Sequence, residues 1–430
     1  MKVAVIGGGY AGMAAAATLA ERRVPITVFE AARTLGGRAR RVEHQGLALD
    51  NGLHLLIGAY SELLRLVELV GEDPARLFLR TPLRWQIQNR LVLKAANLPA
   101  PLHLLVALLL SRGLTLGERL GAVRFMLRMR RRDYRLTSDV SVAEFLDQEG
   151  QKDHARHLLW RPLCISALNT APETASAQVF LHVLRDGLDA ERAASDLLLP
   201  RVDLSALFPE PAARYVEARG GNVLAGERVT GIDAGEGGYL VETGSGRHAF
   251  THVICALPPH RVNAFLVGVT ALAEIAETID RLTYQPIYSV YLGFPEHVGL
   301  STPMLGFDSD LLQWAFDRGA LCGQRGVIGL VISAEGAHES LPHHELAQLC
   351  YQELQQQLGM LPAPIWHRVI AEKRATFACR PDLARPPAVT PLRNFYLAGD
   401  YVASDHPATL EAAVRSGAAA ARMILERRDA

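Results

Sequence analysis

Residues 1–30 read MKVAVIGGGYAGMAAAATLAERRVPITVFE, and this stretch decides the architecture. Residues 2–6 (KVAVI) have the apolar, β-branched character of a strand, and Gly7-Gly8-Gly9 turns the chain. A helix of small residues follows from about Ala11 to Glu21, then a second strand at Ile26-Thr27-Val28-Phe29, which together make the start of a βαβ unit. Gly7-x-Gly9-x-x-Gly12 carries the spacing of a dinucleotide fingerprint. Gly7 permits the tight turn, Gly9 lets a pyrophosphate approach the backbone, and Gly12 allows close packing of helix on strand. The phosphate then lies at the helix N-terminus, where free N–H groups and the helix dipole favour negative charge. Glycine runs also occur as plain structural turns, so context has to decide. Glu30 supplies it, ending the second strand where a carboxylate can accept hydrogen bonds from an adenosine ribose.

Working outward, 430 residues is enough for two or three domains, or two discontinuous ones. The composition, 49% hydrophobic and 21% charged, is that of a globular chain and excludes a disordered one. Lys plus Arg balance Asp plus Glu at 45 each, which argues against a whole-protein grip on nucleic acid, and no nucleic-acid-binding motif is present. The five cysteines (164, 255, 322, 350 and 379) are odd in number, widely spaced and without a CxxC pair. They fit a reduced cytoplasmic protein with buried thiols and speak against a disulfide framework or a metal site. The N-terminus is read as a strand of the mature fold rather than a signal peptide. The longest apolar run, Leu104–Leu110, is far short of a membrane span.

Along the chain, amphipathic helices are expected at 60–70 and 140–149, and a helical pattern at 154–190. Short strands are expected at 222–233, 238–242 and 253–257, the last stopping at Pro258-Pro259. Alternating patterns at 287–294 and 326–333 suggest a second sheet, with a helix near 343–358. The end repeats the opening, with a strand and loop at Phe395–Asp400 and a terminal helix from Thr409 to about Leu425.

Three features distinguish a flavin from a nicotinamide. Gly36-Gly37-Arg38 offers two glycines for close cofactor approach and a cation for the pyrophosphate. Asp50-Asn51-Gly52 is followed by His54. Near the C-terminus, Gly399-Asp400 brings a carboxylate suited to a ribityl hydroxyl, and Pro407-Ala408-Thr409-Leu410-Glu411 starts a helix whose N-terminus could face the flavin N1/C2 edge. A simple nicotinamide dehydrogenase needs no such return to the first domain. The combination resembles the amine oxidase and phytoene desaturase superfamily of FAD enzymes. Cofactor-binding residues are therefore expected at Gly7, Gly9, Gly12, Glu30, Gly36, Gly37, Arg38, Asn51, Gly52, His54, Val229, Gly399, Asp400, Thr409 and Leu410. No cysteine lies between Gly399 and Ser416, so the FAD is expected to be non-covalent.

Four stretches, 50–58, 159–170, 373–377 and 407–417, are similar to those of the squalene-associated FAD-dependent desaturases, the hydroxysqualene dehydroxylases of bacterial squalene and hopanoid biosynthesis. Two departures stand out: Ala412, where that family commonly has Gly, and the polar Ser404-Asp405-His406. The resemblance implies reductive dehydroxylation of hydroxysqualene to squalene, with the hydride delivered from reduced flavin N5 to the allylic carbon. The protein then has to provide positioning, a dry cavity and a proton for the departing oxygen. His54, Asp405 and His406 are the candidate proton donors because they flank the flavin motifs, although a structural role is the commoner one for each. Trp160, Asn169 and Thr170 read equally as a capped helix end or as chamber wall. Tyr284, Tyr288, Tyr291 and Trp314 read more readily as sheet packing than as substrate contacts. No second dinucleotide motif is evident, which leaves the electron donor open among a diffusing nicotinamide, a quinone and another protein.

Between Ser111 and Arg135 eight arginines face only Glu118 and Asp133, a local excess of six positive charges. Leu116, Leu120, Val123 and Leu127 suit one apolar face with basic flanks, downstream of the leucine run. A basic amphipathic helix can lie on anionic lipid or simply cover its own domain. With a water-insoluble substrate implied, peripheral contact of residues 98–135 with the inner face of the cytoplasmic membrane is expected.

The expected fold is α/β. A discontinuous Rossmann-type FAD-binding domain (GR2-like) would occupy 1–90, 200–265 and 390–430. An interleaved substrate domain of helices plus a mixed β-sheet would occupy 91–199 and 266–389. The rival readings are a carotenoid-type desaturase or isomerase, an amine oxidase, and a non-enzymatic prenyl-lipid escort protein on the same fold.

Overall fold

The computed structural model describes residues 1–235, 237–266 and 270–429. Its first layer is a five-stranded parallel sheet in the order Asn222–Ala225, Ile26–Glu30, Val3–Ile6, His252–Cys255, Phe395–Leu397. Val3–Ile6 is paired on both sides and wholly buried, which is why it reads as a continuous apolar run rather than an alternating one. The helix Tyr10–Glu21 carries Ala14, Ala15, Ala16 and Ala17, all fully buried. Small residues are required there because the helix lies against the helices Leu410–Asp429 and Pro209–Glu217 as well as the sheet.

The second layer is a seven-stranded mixed sheet in the order Trp366–Phe377, Tyr284–Gly293, Val327–Ser333, Trp314–Asp317, Met304–Gly306, Arg84–Ile87, Leu91–Lys94. All its pairings are antiparallel except the single parallel register of Gly306 with Ile87. Period-two alternation sorts its side chains. Tyr288, Val290 and Leu292, with Ile328, Leu330 and Ile332, pack beneath the helix His343–Leu358 through Leu346, Cys350 and Leu354. The intervening residues Ile287, Val331 and Ser333 face the interior cavity. Helices between Leu102 and Leu184 close the far end of this sheet.

Three expectations change. The segment 222–233 is not one strand: Gly226, at φ +86°, turns the chain. Asn222–Ala225 joins the parallel sheet, and Val229–Gly235 opens a separate antiparallel meander. The strand Arg84–Ile87, assigned with 1–90 to the nucleotide-binding part, lies in the seven-stranded sheet because its partner Leu91–Lys94 is there. The helical stretch 154–190 is interrupted at Asn169, whose φ of +46° ends the helix Arg161–Leu168. It also contains two π-turns, Arg156–Trp160 and Arg185–Asp189. Among the described residues no helix is long and apolar enough to cross a membrane.

Candidate active site

One cavity of about 910 Å³ runs between the two layers. At one end it is bounded by Gly7, Gly9, Glu30, Arg228 and Val229; at the other by Trp85, Leu93, Leu104, Leu108 and Met126. Of the expected cofactor residues, Gly7, Gly9, Glu30, Gly36, Gly37, Arg38, Asn51, Gly52, His54, Val229, Gly399, Asp400, Thr409 and Leu410 all line it. Gly12 does not. A Cβ there would sit 1.9 Å from the Gly7 carbonyl oxygen, so its part is to let the helix approach the turn. At Gly9, by contrast, a Cβ would meet nothing nearer than 3.8 Å and would project into the cavity. The missing side chain is what leaves room for a ligand.

Each polar group at the nucleotide end is held from outside. Glu30 accepts hydrogen bonds from Gly8 N and Ala32 N, both at 2.7 Å, which fixes its carboxylate at the cavity edge. Arg38 pairs with Asp400 at 2.5 Å and donates to Ala375 O at 2.8 Å. This joins the second strand's loop to the last strand's loop and couples the two expected cofactor ligands. Arg40, absent from the expected set, also lines the cavity and donates to Gly37 O at 2.6 Å. The helix Leu410–Asp429 points its N-terminus at the cavity through Thr409 and Leu410, and Thr409 Oγ1 accepts from Ala412 N at 3.1 Å. Glu411 also lines the cavity, but its carboxylate is engaged with the neighbouring helix, capping Glu62 N and Leu63 N at 3.0 Å each.

The junction between the two ends holds the chemically versatile groups. His54 lines the cavity, with Nδ1 2.8 Å from Gly52 O. Burial holds its imidazole below the usual histidine range and Arg38 pushes the same way, against the opposing hydrogen bond. In the neutral ring Nδ1–H donates to that carbonyl, so Nε2 presents a lone pair rather than a proton. Glu372, also absent from the expected set, lines the same region and accepts from Asn51 Nδ2 at 3.0 Å. Its position on the strand Trp366–Phe377, at a cavity-facing register, was hidden beside the charged pair Lys373-Arg374. Asn169 lines the cavity but is fully engaged: Nδ2 donates to Pro286 O and Thr376 Oγ1, and Oδ1 accepts from Ala334 N. Thr170 is buried and accepts from Cys379 N, so this pair caps a helix and ties it to the sheet.

The polar Ser404-Asp405-His406 segment divides. His406 lines the cavity, and burial lowers its pKa, with Arg415 adding to the effect. Asp405 does not: it is exposed, its carboxylate 3.8 Å from Arg185, and it is set aside as a proton donor to a cavity ligand. The segment's shape is set by Arg385, which donates to the carbonyl oxygens of Ser404 and His406 while its guanidinium lies over the Phe377 ring. Ser404 Oγ also accepts from the same guanidinium, at 3.2 Å. Ala412 is accommodated in the buried wall of its helix.

The apolar end is lined chiefly by leucines and aromatics. Trp160 is core and wall at once: its Nε1 donates to Gln151 at 2.9 Å and its ring meets Phe125 edge on. Trp314 donates to Ser166 Oγ and meets Trp85 edge to face, the centroids 4.5 Å apart, which leaves no slot between the rings. Tyr288 points away to the helix side. Tyr291 is used elsewhere, its hydroxyl donating to Asp50 O and accepting from Asp50 N. Both π-turns deliver cavity residues, Leu159 and Trp160 from the first and Gly187 and Leu188 from the second. π-Turns recur at functional positions because the extra residue re-aims side chains, and hydrophobic periodicity alone does not reveal them.

Residues 10–425 match the flavin-containing amine oxidoreductase family. The chain is 30% identical to a hydroxysqualene dehydroxylase of Rhodopseudomonas palustris and 26% identical to one of Sinorhizobium fredii, each over 98% of both chains. Cyclohexylamine oxidase from Brevibacterium oxydans shares its fold at a TM-score of 0.72 and 17% identity, over 100% of this chain and 99% of that one. A flavin-dependent oxidoreductase is thus what the glycine-lined cavity serves, and the chain belongs to the flavin-containing amine oxidoreductase family and, within it, to the hydroxysqualene dehydroxylase group.

Proposed function

We propose that this enzyme holds FAD non-covalently and reductively removes the hydroxyl of hydroxysqualene to give squalene. The observation that carries the proposal is one continuous cavity, polar and glycine-lined at one end and walled by Trp85, Leu93, Leu104, Leu108 and Phe316 at the other. A long polyprenoid needs such a chamber, dry and with few polar groups. No cysteine lines the cavity among the described residues, in keeping with non-covalent FAD.

In the reaction a C–O bond breaks, a C–H bond forms and the oxygen leaves as water. Reduced FAD, when bound, supplies the hydride. The chain's part is to orient and to exclude water. Arg38 and the N-terminal end of the helix Leu410–Asp429 offer positive charge to an anionic cofactor. His54 Nε2 is suited to accept a hydrogen bond from the substrate hydroxyl and so fix the carbinol carbon. His260, His406 and Glu372 are among the titratable groups that line the cavity and from which the proton for the departing oxygen could come.

An amine oxidase would need an aromatic slot for an ammonium group, and the edge-to-face contact of Trp85 with Trp314 provides none between them. A carotenoid-type desaturase would run electrons from lipid to flavin. Anaerobic mixing of dithionite-reduced enzyme with hydroxysqualene separates the two. Squalene formation with stoichiometric return of the oxidised flavin spectrum is expected; persistent reduced flavin would sink the proposal. We further propose that the protein sits peripherally on the inner face of the cytoplasmic membrane through residues 98–135. In support, Leu102, Leu109, Leu110, Leu116, Leu120 and Leu127 are all exposed.

A further inference from the structure

Beneath the exposed leucines, between the helices Leu102–Leu109 and Leu116–Arg131 and the π-turn Arg185–Asp189, a second, outer cleft indents the surface. Three of its lining residues, Leu104, Met126 and Leu188, also line the apolar end of the main cavity. They face both ways, a septum one side chain thick. The outer cleft has a volume of only about 10 Å³, room for about one water, so the septum is shut. At its rim Arg130 Nε lies 3.7 Å from Asp189 Oδ2, linking the basic helix to the π-turn across the opening.

The parts differ in how firmly they are held. The helix Leu102–Leu109 is anchored from below by His103, fully buried, whose Nε2 lies 3.1 Å from Ser195 Oγ. Met126 is unbranched and can change rotamer at little cost. Leu188 stands on a π-turn next to Gly187. Arg130 is half-exposed and Asp189 largely buried, and their 3.7 Å separation is longer than a hydrogen bond, so the pair is a weak link. An opening here would join the chamber directly to the leucine-studded, basic surface.

We infer that Leu104, Met126 and Leu188 form the inner gate of a passage by which an apolar chain moves from an anionic lipid surface into the chamber, with the Arg130–Asp189 pair as its outer clasp. The inference rests on the proposed lipid-facing role of residues 98–135 and does not depend on the reaction. The occupant is a bilayer-borne hydrocarbon, because the outer cleft opens among exposed leucines and because Arg124 and Arg131, on the same helix, form no ion pair among the described residues.

The chamber reports its own filling, since Trp85, Trp160 and Trp314 line it. FAD-loaded enzyme is mixed rapidly with phosphatidylglycerol vesicles carrying squalene brominated across its double bonds, and the loss of tryptophan fluorescence is followed. Leu105→Phe with Leu127→Phe narrows the outer cleft while keeping it apolar. At least tenfold slower quenching is expected, with vesicle sedimentation and FAD content retained. Asp189→Asn releases the clasp and is expected to speed quenching several-fold, which decides the matter even if the double variant fails to fold. Quenching at the wild-type rate in vesicle-bound Asp189→Asn and in any folded double variant would overturn the passage alone. Wild-type protein that does not sediment with the vesicles would overturn the lipid-facing role and the passage with it.

Discussion

At the scale of the residue, the most exacting position is Asp50, a member of the Asp50-Asn51-Gly52 motif that does not line the cavity. Its carboxylate accepts from Leu204 N at 2.8 Å and from Arg318 Nη1 at 2.9 Å, and both charged side chains are only 4% exposed. Tyr291 ties down the backbone of the same residue. Burial pushes the Asp50 carboxyl up to about 6, although Arg318 and Leu204 N oppose it. A folded-state pKa above the unfolded value of about 3.9 means that this group stabilises least once pH has risen past its folded pKa. Arg318→Met removes the opposing attraction and raises that pKa further. The expected loss is about 3–5 kcal/mol at pH 7.5 and clearly less at pH 5, where folded Asp50 takes up a proton. Urea midpoints at the two pH values test this; equal losses would refute it. From sequence, Asp50 was legible as part of a motif. Its partner, 268 residues away, was not, because nothing local to Arg318 marks it as buried.

Elements are held to closer tolerances than propensity suggests. The helices Tyr10–Glu21 and Leu410–Asp429 touch at Gly417, where a Cβ would lie 1.9 Å from Ala11 O and 2.8 Å from its carbonyl carbon. Backbone cannot yield as a flexible side chain can, so Gly417→Ala has to part the helices. The expected cost is about 1–3 kcal/mol by overpacking. Because Ala11 also lines the cavity beside Gly9, FAD affinity is expected to fall with stability. Thermal unfolding with and without added FAD reads both effects; a variant with wild-type Tm and FAD binding would contradict the tight contact. Helices and strands were largely legible from periodicity. The helix expected near 343–358 is His343–Leu358, and the strand expected at 326–333 is Val327–Ser333. The π-turns and the division of 222–233 were not, since one extra residue or one positive φ leaves hydrophobic periodicity almost unchanged.

For the whole molecule, the zero net charge conceals a distribution, and the fold decides which charges remain available. Arg128 and Arg132 both pair with Glu149, and Arg130 with Asp189. Glu118 is buried and closes a capping box with Thr115. Arg112, Arg124, Arg131 and Arg135 are exposed and form no ion pair among the described residues, beside Leu110 at 73% and Leu116 at 66% exposure. The helix Leu116–Arg131 is apolar on two sides: Ala122, Phe125, Met126 and Met129 enter the core, while Leu116, Leu120 and Leu127 face outward. Charge reversal at 128–132 would break internal pairs, so the cleaner variant is Arg124→Ser, Arg131→Ser and Arg135→Ser together. At about 1 kcal/mol per cation near an anionic surface, vesicle partitioning is expected to weaken roughly 100-fold. Partitioning unchanged from wild type would remove the membrane proposal.

Local spacing by itself determined the Rossmann-type opening and placed Gly7, Gly9, Glu30, Gly36, Gly37 and Arg38 at the cavity, because turns and phosphate cradles are built from neighbours in the chain. Only the tertiary structure decided the direction of each polar group. It turned Asp405 outward and His406 inward, engaged Asn169 and Tyr291 in holding the frame, and brought Glu372 to the cavity. Those outcomes depend on strands and helices hundreds of residues apart packing at one register, and a side chain's own neighbours in sequence carry no record of which partner it will meet.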